Sequence, residues 1–271
     1  MKIQDFQLKK QTASKISMVT CYDHPSACTL AKSNIDCVLV GDSVAMAVHG
    51  YDTTIMATLE MMVLHTQAVA KGLTGQFLIC DLPFLCHKGS LDQTIQNVKQ
   101  LFKAGAQAIK IEGADPDTCK TIGYLVQAGI PVIGHIGLTA QMIHQLGGYR
   151  IQGKSKAQEE VLLQQGYDLE QAGCFALVIE CVPQQVAHRI TTSLKIPTIG
   201  IGAGWGTDGQ VLVWHDLLGL QSTFSPKFLK KYAKAQDLFI KAINTYVQEV
   251  QQGIFPADEH CFKMENNHAA V

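Results

Sequence analysis

Five short apolar runs in this chain end on residues that can move a proton or hold an ion: VLVGDS (38–43), FLICD (77–81), AIKIE (108–112), VIGH (132–135) and ALVIE (176–180). A sixth, TIGIGAG (198–204), ends on glycines. Side chains two apart share a face of a strand. Val38, Val40 and Asp42 then share one face, as do Phe77, Ile79 and Asp81; Lys110 and Glu112; Val178 and Glu180. If these faces point into one barrel, Asp42, Asp81, Glu112 and Glu180 converge at its mouth, with Lys110 one layer deeper. Four carboxylates around one lysine cannot all stay ionised unaided. A bound divalent cation is the simplest remedy, and all-oxygen ligands favour Mg2+ or a similar hard ion. Two aspartates with an open face suit a chelating substrate such as a 2-oxo acid. The metal would polarise its keto oxygen and stabilise an enolate.

Plainer roles compete with this one. Asp42-Ser43 could cap a following helix. Asp81 precedes Leu82-Pro83, which is no helix start, and glutamate is a poor N-cap, so capping explains the other acids less well. A structural ion pair could account for Glu112 or Glu180 singly, less readily for all four acids at one rim. Lys110 could bind a substrate carboxylate, pair with Glu112, or act as a Schiff-base nucleophile. His135, at a strand end, is either structural or a polar group of the mouth. His24, His49, His65, His87 and His144 show no ligand spacing, and Cys86-His87 has no second pair at zinc spacing. Gly204-Trp205-Gly206-Thr207-Asp208-Gly209 fits GxGxxG. It is followed by VLVWH (211–215), which reads as a strand, whereas a dinucleotide fingerprint needs a helix there.

Continuous apolar runs are the mark of strands buried on both faces. Eight are expected, at 17–21, 37–41, 76–80, 107–111, 131–134, 175–179, 197–201 and 211–214. Helical patterns lie between most of them, at 59–71, 91–103, from Asp115-Pro116, at 157–172 and at 184–193. Ala104-Gly105, Ala128-Gly129 and Ala172-Gly173 each close a helix shortly before a strand, the rhythm of a βα repeat. Residues 226–251 read as a closing C-terminal helix. The pattern predicts a (β/α)8 TIM barrel, with a doubly wound open sheet as the alternative. One barrel domain is expected over 1–263, with a frayed tail over 264–271. The insertion 137–156 has the length and position of a lid.

Composition narrows the partners. Of 271 residues, 47% are apolar and 17% charged, and the net charge is −1, so nothing draws nucleic acid or an anionic membrane. No apolar run approaches the roughly 18 residues of a membrane span, and the N-terminus lacks the apolar core of a signal peptide. Nine cysteines without a CxxC pair suit a reducing cytoplasm better than a disulfide framework.

Taken in order, the segments MVTCYD (18–23), VGDS (40–43), DLPF (81–84), KAGAQAIKIEG (103–113), GHIGLTAQ (134–141), GGYRIQGKS (147–155), LVIECVP (177–183), TIGIGAG (198–204), DGQVLVWHDLLGL (208–220) and GIFPADEHCF (253–262) resemble the ketopantoate hydroxymethyltransferase family. The resemblance runs along nearly the whole chain. It implies a (β/α)8 barrel like those of the phosphoenolpyruvate mutase and isocitrate lyase group. It also implies transfer of a hydroxymethyl group from 5,10-methylenetetrahydrofolate to 3-methyl-2-oxobutanoate, giving 2-dehydropantoate on the route to pantothenate. In that reading Asp42 and Asp81 hold Mg2+ and, with Ser43, meet the oxo acid. Lys110 binds its carboxylate, Glu112 assists the metal through water, Glu180 removes the C3 proton, and His135 lies near the substrates. A large homo-oligomer, typically a decamer, is also implied. The chain departs from the pattern at Thr207, where Cys is common, at Ala140, where Pro is common, and in LCHKG (85–89). Arg150 and Lys154 of the expected lid are assigned to the folate's glutamate tail. Rival readings are a folate-independent carbon–carbon lyase on a 2-oxo or 2-hydroxy acid, a Schiff-base aldolase on Lys110, and a barrel kept as a binding scaffold.

Overall fold

The computed structural model describes residues 1–221 and 226–264. Eight parallel strands close into a barrel in chain order, which excludes the open sheet. They are β1 (Ile16–Thr20), β2 (Cys37–Val40), β3 (Phe77–Asp81), β4 (Ala108–Glu112), β5 (Val132–Gly137), β6 (Ala176–Glu180), β7 (Thr198–Ile201) and β8 (Gly209–Leu212). All eight expected strands are present, most displaced by a residue or so. The larger changes are in β5, which runs three residues further, and in β8, which starts two residues early because Gly209 pairs with Ile16 of β1. Trp214, expected in that strand, instead opens a short helix, Trp214–Leu217. The GxGxxG run therefore leads from β7 into β8 and not into a helix.

The helices Leu91–Lys103 and Gln184–Ser193 have the expected bounds, Leu59–Gly72 ends one residue later, and Lys156–Gln171 is shifted back by one residue at both ends. Asp115 caps Pro116–Gln127 as expected, its carboxylate accepting the Thr118 N–H at 3.2 Å. The N-terminal helix Ile3–Gln11 was not expected. Its Phe6 is fully buried and meets Phe77 and Phe175 edge-on at 5.4 and 5.1 Å. It thereby packs against the first residues of β3 and the start of β6, at the end of the barrel remote from the acids. Such an aromatic contributes about 2–3 kcal/mol by burial alone.

The described residues form two compact units, one of residues 1–214 with 226–229, the other of 215–221 with 230–264. In the second unit the C-terminal helix runs only over Ala235–Gln251, not from 226. Lys227, Lys230, Lys231 and Lys234 would fall at i, i+3, i+4 and i+7 on one face of a longer helix, and like charges at that spacing oppose it. Of the expected tail, residues 265–271 lie outside the described residues. Among the described residues no helix is long and apolar enough to cross a membrane, and all nine cysteines are free thiols.

The interior of the barrel takes alternate residues from its strands: Ile16 and Met18, Cys37 and Leu39, Phe77 and Ile79, Ala108, Ile133, Ala176 and Val178, Ile199 and Val211. The same parity carries Asp81, Lys110, Glu112, His135 and Glu180 inward, as expected. β2 does not follow the expected parity. Cys37 and Leu39 face inward, not Val38 and Val40, so Asp42 is not an inward strand residue. The strand stops at Val40, and the turn after it brings Asp42 inward.

One close approach fixes the mouth. Gly137 ends β5 at φ +95°, and a Cβ there would lie 2.2 Å from the Glu180 carbonyl oxygen. Only glycine lets β5 and β6 pair up to Glu180. We expect Gly137→Ala to cost about 2 kcal/mol or more through backbone strain and displacement, lowering Tm by about 4–8 °C in a chain of this size. An unchanged melting temperature in a thermal scan would show that this contact carries no strain.

Candidate active site

Strand register sets the polar residues side by side. Asp81 is opposite Lys110, and Glu112 is opposite His135. The Lys110 ammonium lies 3.2 Å from Asp81 Oδ1, 3.4 Å from Glu112 Oε1 and 3.2 Å from His135 Nδ1. His135 Nδ1 is also 3.1 Å from Glu112 Oε1, while its Nε2 is 3.4 Å from Glu180 Oε2 without a formed hydrogen bond. The turn after β2 closes the group, because the Asp42 N–H donates to Asp81 Oδ2 at 3.0 Å. Asp42 does not cap the short helix Val44–Ala47. Its Oδ2 instead accepts from Gln141 Nε2 at 2.9 Å. Ser43 sits at the head of that helix, and its hydroxyl meets the Tyr22 hydroxyl at 2.8 Å.

All seven expected residues are thus within one connected group. Two further members were not singled out. Gln141 joins Asp42 through its side chain and Glu112 Oε2 through its backbone N–H, at 3.0 Å. Tyr22, fully buried, reaches Ser43 from the end of β1. Tyr22 lies in the loop after β1 and Gln141 in a single 3-10 turn, Ala140–Met142, where neither period nor charge marks them. Of the departures noted above, Thr207 is accommodated by its hydroxyl donating to the Gly209 carbonyl at 2.7 Å.

The charges do not balance. Burial, then the charges of Asp81 and Glu112, push Asp42 well above the usual carboxylate range. Burial also raises Asp81, despite Lys110. Burial opposes ionisation of Glu112 too, but Lys110 and then His135 hold it down at about 2. Lys110 loses solvation by burial, yet Asp81, Glu112 and Asp42 keep it protonated well above the ordinary lysine range. For His135, burial and Lys110 favour the neutral ring, and Glu112 with Glu180 overrides them, raising it to about 9.

The residues fit a hard divalent cation. Asp81 Oδ1 is buried with no hydrogen bond, its 3.2 Å approach to Lys110 being misaligned. Among the described residues no cationic side chain forms an ion pair with Asp42, whose ionisation burial and its acidic neighbours oppose. These two carboxylates match the one or two that Mg2+ commonly takes from a protein. Glu112 has both oxygens engaged, by Lys110 and His135 on one side and the Gln141 N–H on the other. Among the described residues no three His, Cys, Asp or Glu side chains form a ready-made ligand set. A cation here would therefore take the rest of its shell from water or substrate.

Beyond His135 a cavity of about 470 Å³ opens, lined by Asp115, Gly137, Met142, Gln145 and Leu146 among others. A wider cleft of about 710 Å³ shares Leu146, Gln152 and Gln158 with it and carries Tyr149, Arg150 and Lys154. The segment expected as a lid thus forms cavity wall. It is partly helical, over Ile143–Leu146.

The model of the family described as ketopantoate hydroxymethyltransferase matches residues 1–258. The 3-methyl-2-oxobutanoate hydroxymethyltransferase of Legionella pneumophila (strain Lens) is 73% identical over 262 residues, covering 97% of this chain and all of that protein. Its counterpart in Coxiella burnetii (strain CbuK_Q154) is 49% identical over 263 residues, covering 97% and 99%. Among solved structures, phosphonopyruvate hydrolase in complex with oxalate and Mg2+ superposes with TM-score 0.61 at 13% identity, over 97% of this chain and 92% of that one. The 2,3-dimethylmalate lyase of the PEP mutase/isocitrate lyase superfamily gives 0.59 at 16%, over 96% and 91%. At such identities these two establish the fold alone.

The histidine gives a pH signature. Its value in the folded chain lies above the ordinary 6.5, so its stabilisation is complete below pH 6.5 and is lost as pH rises through about 9. Glu112 is shifted the other way. Its contribution is present above 4.5 and is lost as pH falls towards about 2. We expect His135→Gln to flatten the fall in stability between pH 6.5 and 9, measured by urea unfolding with a chelator present. Parallel curves for the two proteins would show that His135 is not the titrating group.

Proposed function

This chain belongs to the ketopantoate hydroxymethyltransferase family, and on that footing we propose that 5,10-methylenetetrahydrofolate and 3-methyl-2-oxobutanoate are its substrates and Mg2+ its metal. With one water, the products are 2-dehydropantoate and tetrahydrofolate. Asp42 and Asp81 would hold the divalent cation, with Glu112 behind them through water. When bound, the cation polarises the keto oxygen and stabilises the enolate. Phosphonopyruvate hydrolase, on the same fold, is described in complex with oxalate and Mg2+, which is in keeping with pairing an oxo acid with this metal.

The chain's own residues do the rest. Lys110, kept charged by its acidic neighbours, meets the substrate carboxylate, and Ser43, oriented by Tyr22, supports the oxo-acid end. Gln141 fixes Asp42 in rotation. Glu180 is the base that takes the C3 proton. The observation that carries this assignment is its accessibility: its side chain is 23% exposed, against 3% for Asp81 and Glu112. It alone of the four acids can meet a substrate carbon without losing an internal partner. His135 Nε2 steers the carboxylate from 3.4 Å. The carbanion equivalent then attacks the one-carbon unit, which enters through the cavity beyond His135. Arg150 and Lys154 supply positive charge for the folate's glutamate tail in the adjoining cleft. Free thiols support a reducing, cytoplasmic setting. The exposed apolar side chains Leu238, Ile243 and Val250 on Ala235–Gln251 support a homo-oligomer.

Two measurements test this. Proton exchange at C3 of 3-methyl-2-oxobutanoate in D2O, followed by NMR, should proceed without folate, stop with a chelator, and fall about 10²–10⁴-fold in Glu180→Gln. Exchange at the parent rate in that variant would remove Glu180 as the base. Arg150→Ala with Lys154→Ala should raise the folate KM and leave the oxo-acid KM unchanged. An unaltered folate KM would remove the pair from the tail site.

A further inference from the structure

The side chain of Glu180 is not locked by a partner. His135 Nε2 stands 3.4 Å from its Oε2, but no hydrogen bond is formed. Its direction must come from the backbone, and the residue after it is unusual. Among the described residues the non-glycine residues with positive φ are Ala13, Leu85 and Cys181. Ala13 stands just past the helix Ile3–Gln11, where a left-handed residue is ordinary, and Leu85 is exposed. Cys181, at φ +48°, ends no helix and directly follows β6. A side chain in that region costs free energy and persists only where the surroundings over-determine it.

The surroundings of Cys181 do so. The Glu180 carbonyl accepts the Leu138 N–H, the Cys181 N–H donates to the Ile201 carbonyl, and the Cys181 carbonyl accepts the Gln152 N–H, each at 2.9 Å. Cys181 is thus fastened to the end of β7 and to the segment that walls the cavity. Val182, 1% exposed, is buried against Gly137, where an added Cβ would lie 2.8 Å from its Cγ2. An extended residue at 181 would carry the strand onward. The left-handed turn instead stops β6 at Glu180, which keeps the inward parity of the strand at its last position. Burial, then the Glu180 charge, pushes the Cys181 thiol up to about 12, so the side chain stays neutral and adds no charge beside the base. On the reading that Glu180 is the base, we propose that Cys181 is its positioning residue: its left-handed backbone, held by Ile201 and Gln152, aims the Glu180 carboxylate at the C3 proton.

The test is proton exchange at C3 of 3-methyl-2-oxobutanoate in D2O, with Mg2+ and the full-length chain. It is read as a saturated rate and as the oxo-acid concentration that half-saturates it. Glycine adopts positive φ freely, whereas a β-branched residue does so at high cost. Cys181→Gly should exchange at the parent rate. Cys181→Val should lose about 10–10²-fold in saturated rate, with half-saturation unchanged because Asp42, Asp81 and Lys110 stand on other elements. If Cys181→Val does not fold, Gln152→Pro decides. It removes, from an irregular segment, the N–H that holds the Cys181 carbonyl, and should lower the saturated rate at unchanged half-saturation. Equal losses in Cys181→Gly and Cys181→Val overturn the proposal, as does a rise in half-saturation that matches the loss of rate. A parent rate in the deciding variant beside a slowed Glu180→Gln removes the positioning role alone. A parent rate in Glu180→Gln removes the base and the positioning role together.

Discussion

A single buried ammonium organises this barrel. Lys110 is 5% exposed and stands within 3.4 Å of Asp81, Glu112 and His135. Each ion taken from water costs several kcal/mol even after relaxation, and that cost is offset only where partners are close and their remaining lone pairs are satisfied. Glu112 meets that condition, with three donors on its two oxygens. Asp81 meets it in part, and Asp42 does not meet it with charge at all. The shortage of positive charge is therefore concentrated on two adjacent aspartates. A cation bound as proposed above would meet that shortage on one face and direct its substrate there.

The backbone makes that arrangement possible through register. Asp81 and Lys110 are cross-strand partners, as are Glu112 and His135, so two strand pairings bring four charged or chargeable groups together. Only short devices are needed to complete the set. A turn after Val40 swings Asp42 in, and Gln141, from the segment after β5, ties Asp42 to Glu112. Gly137 lets β5 pass the Glu180 carbonyl. Of these devices only the turn brings in an ionisable group, Asp42; the strands supply the rest of the charged set.

The same distinction explains what could be read from the residues alone. A charge inside a two-sided buried strand is so costly that acids must fall at strand ends, so Asp81, Glu112 and Glu180 were legible. Asp42 was found for a reason that was only half right. Val38 to Val40 are apolar on both faces, so no alternation fixed the parity, and the strand's stop at Val40 is invisible in composition. Gln141 and Tyr22 act through single hydrogen bonds from irregular segments, and no period announces such residues. The helix at Ile3–Gln11 was passed over because its main contribution is one side chain, Phe6, whose partners lie far along the chain.

The barrel and the acids do not by themselves decide the reaction. Phosphonopyruvate hydrolase and 2,3-dimethylmalate lyase share the fold at 13% and 16% identity yet carry names of different chemistries. Function resides in the site grafted onto a fold. Beyond His135 this chain has a cavity walled largely by residues of 137–158, and the Glu180 side chain stays partly exposed. The cavity, of about 470 Å³, has room for a molecule larger than water. On the reading proposed above, that space would admit the carbon donor, and its walls would have to keep water out until the new bond forms.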